Sequence, residues 1–154
     1  MNFLELKVPP PLVALIVGVL MWVIAKLGPL LAVPATVRIT AALILVAVGV
    51  AVAAAGVVSF RRAKTTLNPT EPESATSLVS SGIYAVTRNP MYLGWLLLLV
   101  GWAAYLASPV ALIIGPLGFW LYIDRFQIIP EERALAKIFG SSFATYAAKV
   151  RRWL

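Results

Sequence analysis

Two short stretches hold most of the residues able to do chemistry. The first is SGIYAVTRNPMYLG, Ser81 to Gly94, where Arg88, Asn89 and Pro90 stand between Tyr84 and Tyr92 immediately before an apolar run. The second is the pair Glu131 and Glu132, one residue beyond another apolar run, with Asp124 and Arg125 a little upstream. Acids are scarce, only six in 154 residues, so a vicinal pair of glutamates beside a membrane-like segment is an unusual placement. Asp124 and Arg125 fall at the end of an apolar stretch, where a charge is expensive and points by default to function. A cationic ligand carrying hydroxyls and amines suits the two glutamates. Each of these residues also has a structural reading. Asn89 is a good N-cap, Pro90 is welcome in a first helical turn, Arg88 can reach headgroup phosphates, and the tyrosines suit an interface.

The types that are missing narrow the chemistry further. The chain has no cysteine and no histidine, which removes disulfides, thiolate nucleophiles and the commonest general base. With so few acids, no zinc or iron site is expected, and no metal is assigned.

The surrounding elements must be membrane helices. Hydrophobic residues make up 61% of the chain and charged residues 12%, against about 45–50% and 25% in soluble domains. Four apolar segments are expected as spans, at about 11–27, 39–60, 90–106 and 109–129. Each is roughly 25–33 Å long as a helix, close to the hydrocarbon thickness. Ser108-Pro109 leaves almost no loop between the last two, so they read as a tight hairpin. Gly49, Ala53 and Gly56 form a small-residue stripe on the second span, which lets a neighbouring helix approach closely.

Four spans put the N-terminus, a polar loop at 61–89 and a tail at 130–154 on one side. Eleven of the thirteen Lys and Arg residues lie there, and only Lys26 and Arg38 lie opposite. That asymmetry predicts cytoplasmic termini. The start MNFLELKVPPP lacks a basic region followed by a cleavage site, so it is not read as a cleavable signal. The tail is expected to be helical from Pro130, with Glu131 and Glu132 at the positive end of the helix dipole. Gly140 is a plausible C-cap, and a second short helix carries Phe143, Tyr146 and Val150 on its apolar side. Arg61, Arg62 and Lys64 read as headgroup anchors, and Trp153 beside Arg151 and Arg152 as an interface residue. The expected architecture is therefore an all-α integral membrane protein, a single domain with about four transmembrane helices and a cytoplasmic helical tail.

The two stretches together resemble a known family. SGIYAVTRNPMYLG followed by RFQIIPEERALAKIFGSSFATYAAKVRRW is similar to the isoprenylcysteine carboxyl methyltransferase and phospholipid methyltransferase family of integral membrane enzymes. In that family G-P-Y-x-x-x-R-[HN]-P-x-Y-x-G and E-E-x-x-L-x-x-x-F-G-x-x-[YF]-x-x-Y elements build a pocket for S-adenosylmethionine. The likeness covers about the C-terminal half, with TTLNPTEPESATSLV upstream also similar. Two departures stand out: Asn89 replaces a frequent histidine, and Gly82-Ile83-Tyr84 replaces the more common GPY.

The resemblance implies a methyltransferase using S-adenosylmethionine on a lipophilic or lipidated acceptor drawn from the bilayer, with no nucleic-acid partner. It implies that Tyr84, Arg88, Asn89, Pro90, Tyr92, Gly94, Glu131 and Glu132 surround the cofactor. It also places Arg88, Arg125 and Glu132 at the reacting centre, with an arginine orienting an anionic group. Methyl transfer from a sulfonium needs no metal, only positioning and dryness. Two other readings stand beside it, a membrane enone or sterol reductase using a nicotinamide cofactor and a non-catalytic scaffold. A reductase of that kind wants more spans and more basic contacts than this chain has.

Overall fold

The computed structural model describes residues 5–64 and 74–154. Residues 65–73, which include Glu71, Glu73 and part of the TTLNPTEPESATSLV stretch, lie outside that description. Among the described residues five helices carry the fold: α1 (Pro10–Leu27), α2 (Ala35–Ala63), α3 (Pro90–Leu106), α4 (Pro109–Ile123) and α5 (Ile129–Lys149). A short 3₁₀ turn, Gly82–Ala85, precedes α3, and a π-helical turn, Asp124–Ile128, joins α4 to α5. No strand occurs among the described residues.

The outward faces of α1, α2 and α4 are apolar. Leu15, Ile16, Leu43, Ile44, Ile113 and Leu121 are all exposed, a pattern that water would penalise and lipid would not. Helices α1, α2 and the one beginning at Pro109 are long and apolar enough to cross a membrane, while α3 is shorter. The protein is an integral membrane protein of the all-α class. Helix α2 has 29 residues, roughly 43 Å at 1.5 Å per residue. It overshoots the expected 39–60 at both ends and carries Arg61 and Arg62 beyond the hydrocarbon.

Small residues decide which helices touch. A Cβ on Gly94 of α3 would sit 2.7 Å from both Ala53 Cβ and the Gly49 carbonyl of α2. One on Gly56 would meet Met91 Cγ at 2.9 Å. The stripe foreseen on the second span is thus the α2–α3 seam. On the other side of the bundle, Met21 of α1 is fully buried; a Cβ on Gly115 of α4 would meet its sulfur at 2.3 Å. Phe119 and Ile123 complete this core, with Leu99 and Ala103 of α3. The expected hairpin forms. Ala107 takes a left-handed conformation (φ 52°, ψ 31°), and the Ser108 hydroxyl accepts from the Ala111 N–H at 3.3 Å to cap α4.

Beyond α4 the chain departs from expectation. No new helix starts at Pro130. Ile128 and Ile129 are both helical, and the Ile129 N–H bonds to the Asp124 carbonyl, five residues back. Proline has no N–H to give, so within a helix the carbonyl four residues earlier is left free. Here that carbonyl belongs to Phe126, and it accepts the Leu6 N–H at 3.0 Å. The N-terminal segment and the π-turn therefore complete each other, and Gln127, fully buried, donates from its side chain to the Val8 carbonyl at 2.7 Å. Gly140 does break α5, with φ 50° and ψ −121°, a conformation that only glycine adopts without strain. The chain turns extended at Val150.

Candidate active site

The collar before α3 and the first turns of α5 face each other across a cleft. Counting its open mouth, it holds about 870 Å³ of empty space. From the collar side come Tyr84, Arg88, Asn89, Met91 and Tyr92. From the other side come Ile128, Glu131, Glu132, Leu135, Phe143 and Tyr146. Phe60 at the end of α2 and the extended segment through Ser77 and Val79 close the remainder.

Each wall is built by local sequence. Gly82 adopts φ 64° at the start of the 3₁₀ turn, so the glycine shared with the GPY pattern still bends the chain although Ile83 stands in the proline's place. The turn buries Tyr84 to 5% exposure and sets its ring edge-on to Phe60, centroids 5.3 Å apart. The Tyr146 hydroxyl donates to the Tyr84 carbonyl at 2.7 Å, tying α5 to the turn. Ser77 donates its hydroxyl to the Ala63 carbonyl at 3.1 Å, holding the extended segment on the end of α2.

The charges form two groups. Glu132 is enclosed by guanidinium groups. Arg152 Nε and Nη2 donate to its two oxygens at 3.1 and 2.7 Å, and Arg88 Nη2 lies 3.2 Å from Oε1. The remaining Arg152 nitrogen, Nη1, meets both oxygens of Asp124 at 3.1 Å. Glu131, in contrast, has no cation beside it among the described residues; its Oε1 accepts the Tyr92 hydroxyl. It lies beyond the apolar part of the long helix. Burial pushes its carboxyl up to about 8, the Tyr92 bond opposes this, and Glu132 adds to it. Burial also holds the Tyr84 phenol far above its ordinary range, with Glu131 contributing, and moves Tyr146 to about 12 against the pull of Arg88. Arg88 Nε is buried and without a hydrogen-bond partner among the described residues.

Several expected residues take other places. The Asn89 side chain makes no cap bond. Its Nδ2 donates instead to the Arg152 carbonyl at 2.8 Å. Gly94 faces α2, and Pro90 packs at the start of α3 against the same helix; neither lines the cleft. Arg125 points away from it and meets Glu5 at 3.2 Å, where Arg133 joins at 2.7 Å. Glu5 itself, which the sequence places in a polar segment, is only 6% exposed. Trp153 is no simple interface aromatic: it packs against the core cluster. Thr87 and Arg152 are site residues the motif does not flag, and Arg152 looks from sequence like one more headgroup anchor.

Comparison with known proteins identifies this architecture. A family model described as phospholipid methyltransferase matches residues 37–142, more than two thirds of the chain. The chain belongs to that family. An uncharacterized protein of Haemophilus influenzae is 44% identical over 64 residues, which is 42% of this chain and all of that protein. Protein-S-isoprenylcysteine O-methyltransferase of Xenopus laevis is 32% identical over 80 residues, 52% of this chain and 27% of that enzyme. A probable protein-S-isoprenylcysteine O-methyltransferase of Oryza sativa subsp. indica is 30% identical over 112 residues, 73% and 58% of the two chains. The chain thus spans about a quarter to somewhat over half the length of these named relatives. No solved structure matches it significantly. The phospholipid methyltransferase match begins in α2, includes both the collar and the glutamate pair, and stops before Phe143, Tyr146 and the Arg151–Arg152 tail.

Proposed function

We propose that the protein transfers a methyl group from S-adenosylmethionine to a lipophilic acceptor in or beside the bilayer. The observation that carries this reading is the cleft itself, where the collar and the glutamate pair, with Arg88 and Glu131 43 residues apart in sequence, line one space. The residues present fit the cofactor. Glu131 offers a carboxyl that no arginine neutralises, suited to an ammonium or ribose hydroxyls, while Phe60, Tyr84, Phe143 and Tyr146 offer flat walls for a heterocycle. Buried Arg88 Nε is a donor in search of an acceptor.

When bound, S-adenosylmethionine supplies the methyl group on a positively charged sulfur, whose charge disperses as the group leaves. The chain's own part is to orient, to exclude water and to manage protons. Tyr92 fixes the Glu131 carboxyl by its hydroxyl. At neutral pH that carboxyl holds its proton. A cation brought beside it favours the ionised form, so binding of a cationic ligand should expel the proton. Glu132, held by Arg152 and Arg88, serves as a fixed post for the Arg88 guanidinium. Tyr84 and Tyr146, kept neutral by burial, add hydrogen-bonding edges without adding charge. The apolar lining from Leu78, Val79, Met91 and Leu135 favours an acceptor with a hydrocarbon body. The charge asymmetry of the sequence favours a cytoplasmic cleft.

Titration of the purified protein with S-adenosylhomocysteine and, separately, with NADPH tests the reading. Saturable binding of the first and none of the second is expected. Binding of NADPH alone would transfer the site to reductase chemistry, and binding of neither would remove it from both.

A further inference from the structure

Arg151 and Arg152 bond to the collar, to α5 and to the π-turn yet line none of the cleft. The Arg151 carbonyl accepts the Arg88 N–H at 3.0 Å. The Arg152 carbonyl accepts Asn89 Nδ2 at 2.8 Å and the Thr87 hydroxyl at 3.4 Å. Thr87 in turn accepts the Asn89 N–H at 3.2 Å, and it is completely buried. The Arg152 side chain then reaches across to Glu132 of α5 and Asp124 of the π-turn, all three of its nitrogens engaged. Its backbone thus grips one wall and its guanidinium the other.

That bridge matters because α5 has little else to hold it there. Among the described elements its extensive packing is with the π-turn it continues, and no other helix lies along it. Its position over the collar therefore rests on individual side-chain contacts, with Arg133 to Glu5 on the N-terminal segment among them, more than on a packed helix pair. Besides Arg152, what joins it to the collar is the Tyr92–Glu131 bond, the Tyr146–Tyr84 bond and the Arg88–Glu132 pair.

We propose that Arg152 is a positioning residue that sets the separation of the two walls of the cleft and, through it, the affinity for the cofactor. Its fork is what the role requires. One planar guanidinium spans two carboxylates 8 residues apart in sequence, which a lysine ammonium, a compact charge, does not do with the same geometry. The consequence for affinity rests on the function proposed above; the mechanical consequence does not.

The absence of cysteine allows a direct test. Spin labels at Leu30→Cys and Ile138→Cys, both exposed sites, report by pulsed EPR in nanodiscs how α5 sits relative to the far end of the bundle. A single narrow distance is expected in the parent and in Arg151→Gln, since only the Arg151 backbone is used. A broadened or shifted distance is expected in Arg152→Gln and, to a smaller extent, in Arg152→Lys. The dissociation constant for S-adenosylhomocysteine should rise about tenfold in Arg152→Gln and remain raised in Arg152→Lys, a tenfold change being about 1.4 kcal/mol. If Arg152→Gln loses its helical circular dichroism, the Lys variant, which keeps the charge, decides. Parent-like distances in the folded variants overturn the proposal, as does an altered distance with unchanged affinity. Full rescue by Lys reduces the role to charge alone and overturns it as well. If the parent binds no S-adenosylhomocysteine, the function reading fails while the EPR comparison still decides the positioning role.

Discussion

Glu131→Gln gives a stability signature that can be worked out in advance. In the unfolded chain the carboxyl loses its proton near the ordinary 4.5, and in the fold it keeps it to about 8. Between those values the folded protein holds the extra proton, so rising pH favours unfolding, by up to about 1.4 kcal/mol per unit. From pH 6 to pH 8.5 the full effect is about 2–3 kcal/mol. Water at the cleft mouth screens part of it, leaving about 1–2 kcal/mol. For a chain of this size that is a fall in Tm of roughly 3–6 °C. The sequence makes the assay clean: with no histidine and no cysteine, the α-amino group is the one other ordinary titration in this window. Thermal unfolding in one detergent at pH 6, 7 and 8.5 should show the fall in the parent. Glu131→Gln, already neutral, should match the parent within about 1 kcal/mol at pH 6 and melt above it at pH 8.5. A parent whose Tm is flat across the range refutes the reasoning. So does a Gln variant that falls as steeply as the parent.

Asn89→Asp should cost about 1–3 kcal/mol and exceed the cost of Asn89→Ala, because a carboxylate turned on the Arg152 carbonyl repels it; a helix cap would tolerate Asp as well as Asn, and melting curves of both variants separate the two roles. Gly94→Ala should lose about 1–3 kcal/mol by forcing α2 and α3 apart, whereas Gly118→Ala, with nothing within 4 Å of the added Cβ, should be neutral or gain up to about 1 kcal/mol, as thermal melts will show. Arg125→Ala should lower Tm by loosening Glu5 while leaving the S-adenosylhomocysteine dissociation constant within about twofold, read by calorimetry. Reporter fusions after Leu154 and near Pro34 should place the first in the cytoplasm and the second across the membrane, and the reverse pattern refutes the assigned orientation.

Much of this was legible in the sequence because it depends on local or summed properties. Lipid as solvent follows from composition, and the helix limits near Pro10, Pro90 and Pro109 follow from proline's fitness for a first turn. The small-residue stripe on α2 announced a close neighbour, and Gly140 announced a break, since both are steric facts about single residues. The pairing of the collar with Glu131 and Glu132 was readable only as a resemblance, but the tertiary structure does bring them to one cleft. What the sequence could not settle is who partners whom among charges. Arg88, Arg125, Arg133 and Arg152 are chemically alike, and only the fold sends two of them to Glu132 and the other two to Glu5. The continuous helix through Pro130 was likewise hidden, because the Leu6 N–H that satisfies the orphaned Phe126 carbonyl comes from 120 residues away. Proline's local preference favoured a helix start; a distant backbone group removed the need for one. For the same reason Asn89 makes no cap bond: its Nδ2 donates to a carbonyl on a tail that is remote in sequence and adjacent in space, which fixes the side chain elsewhere.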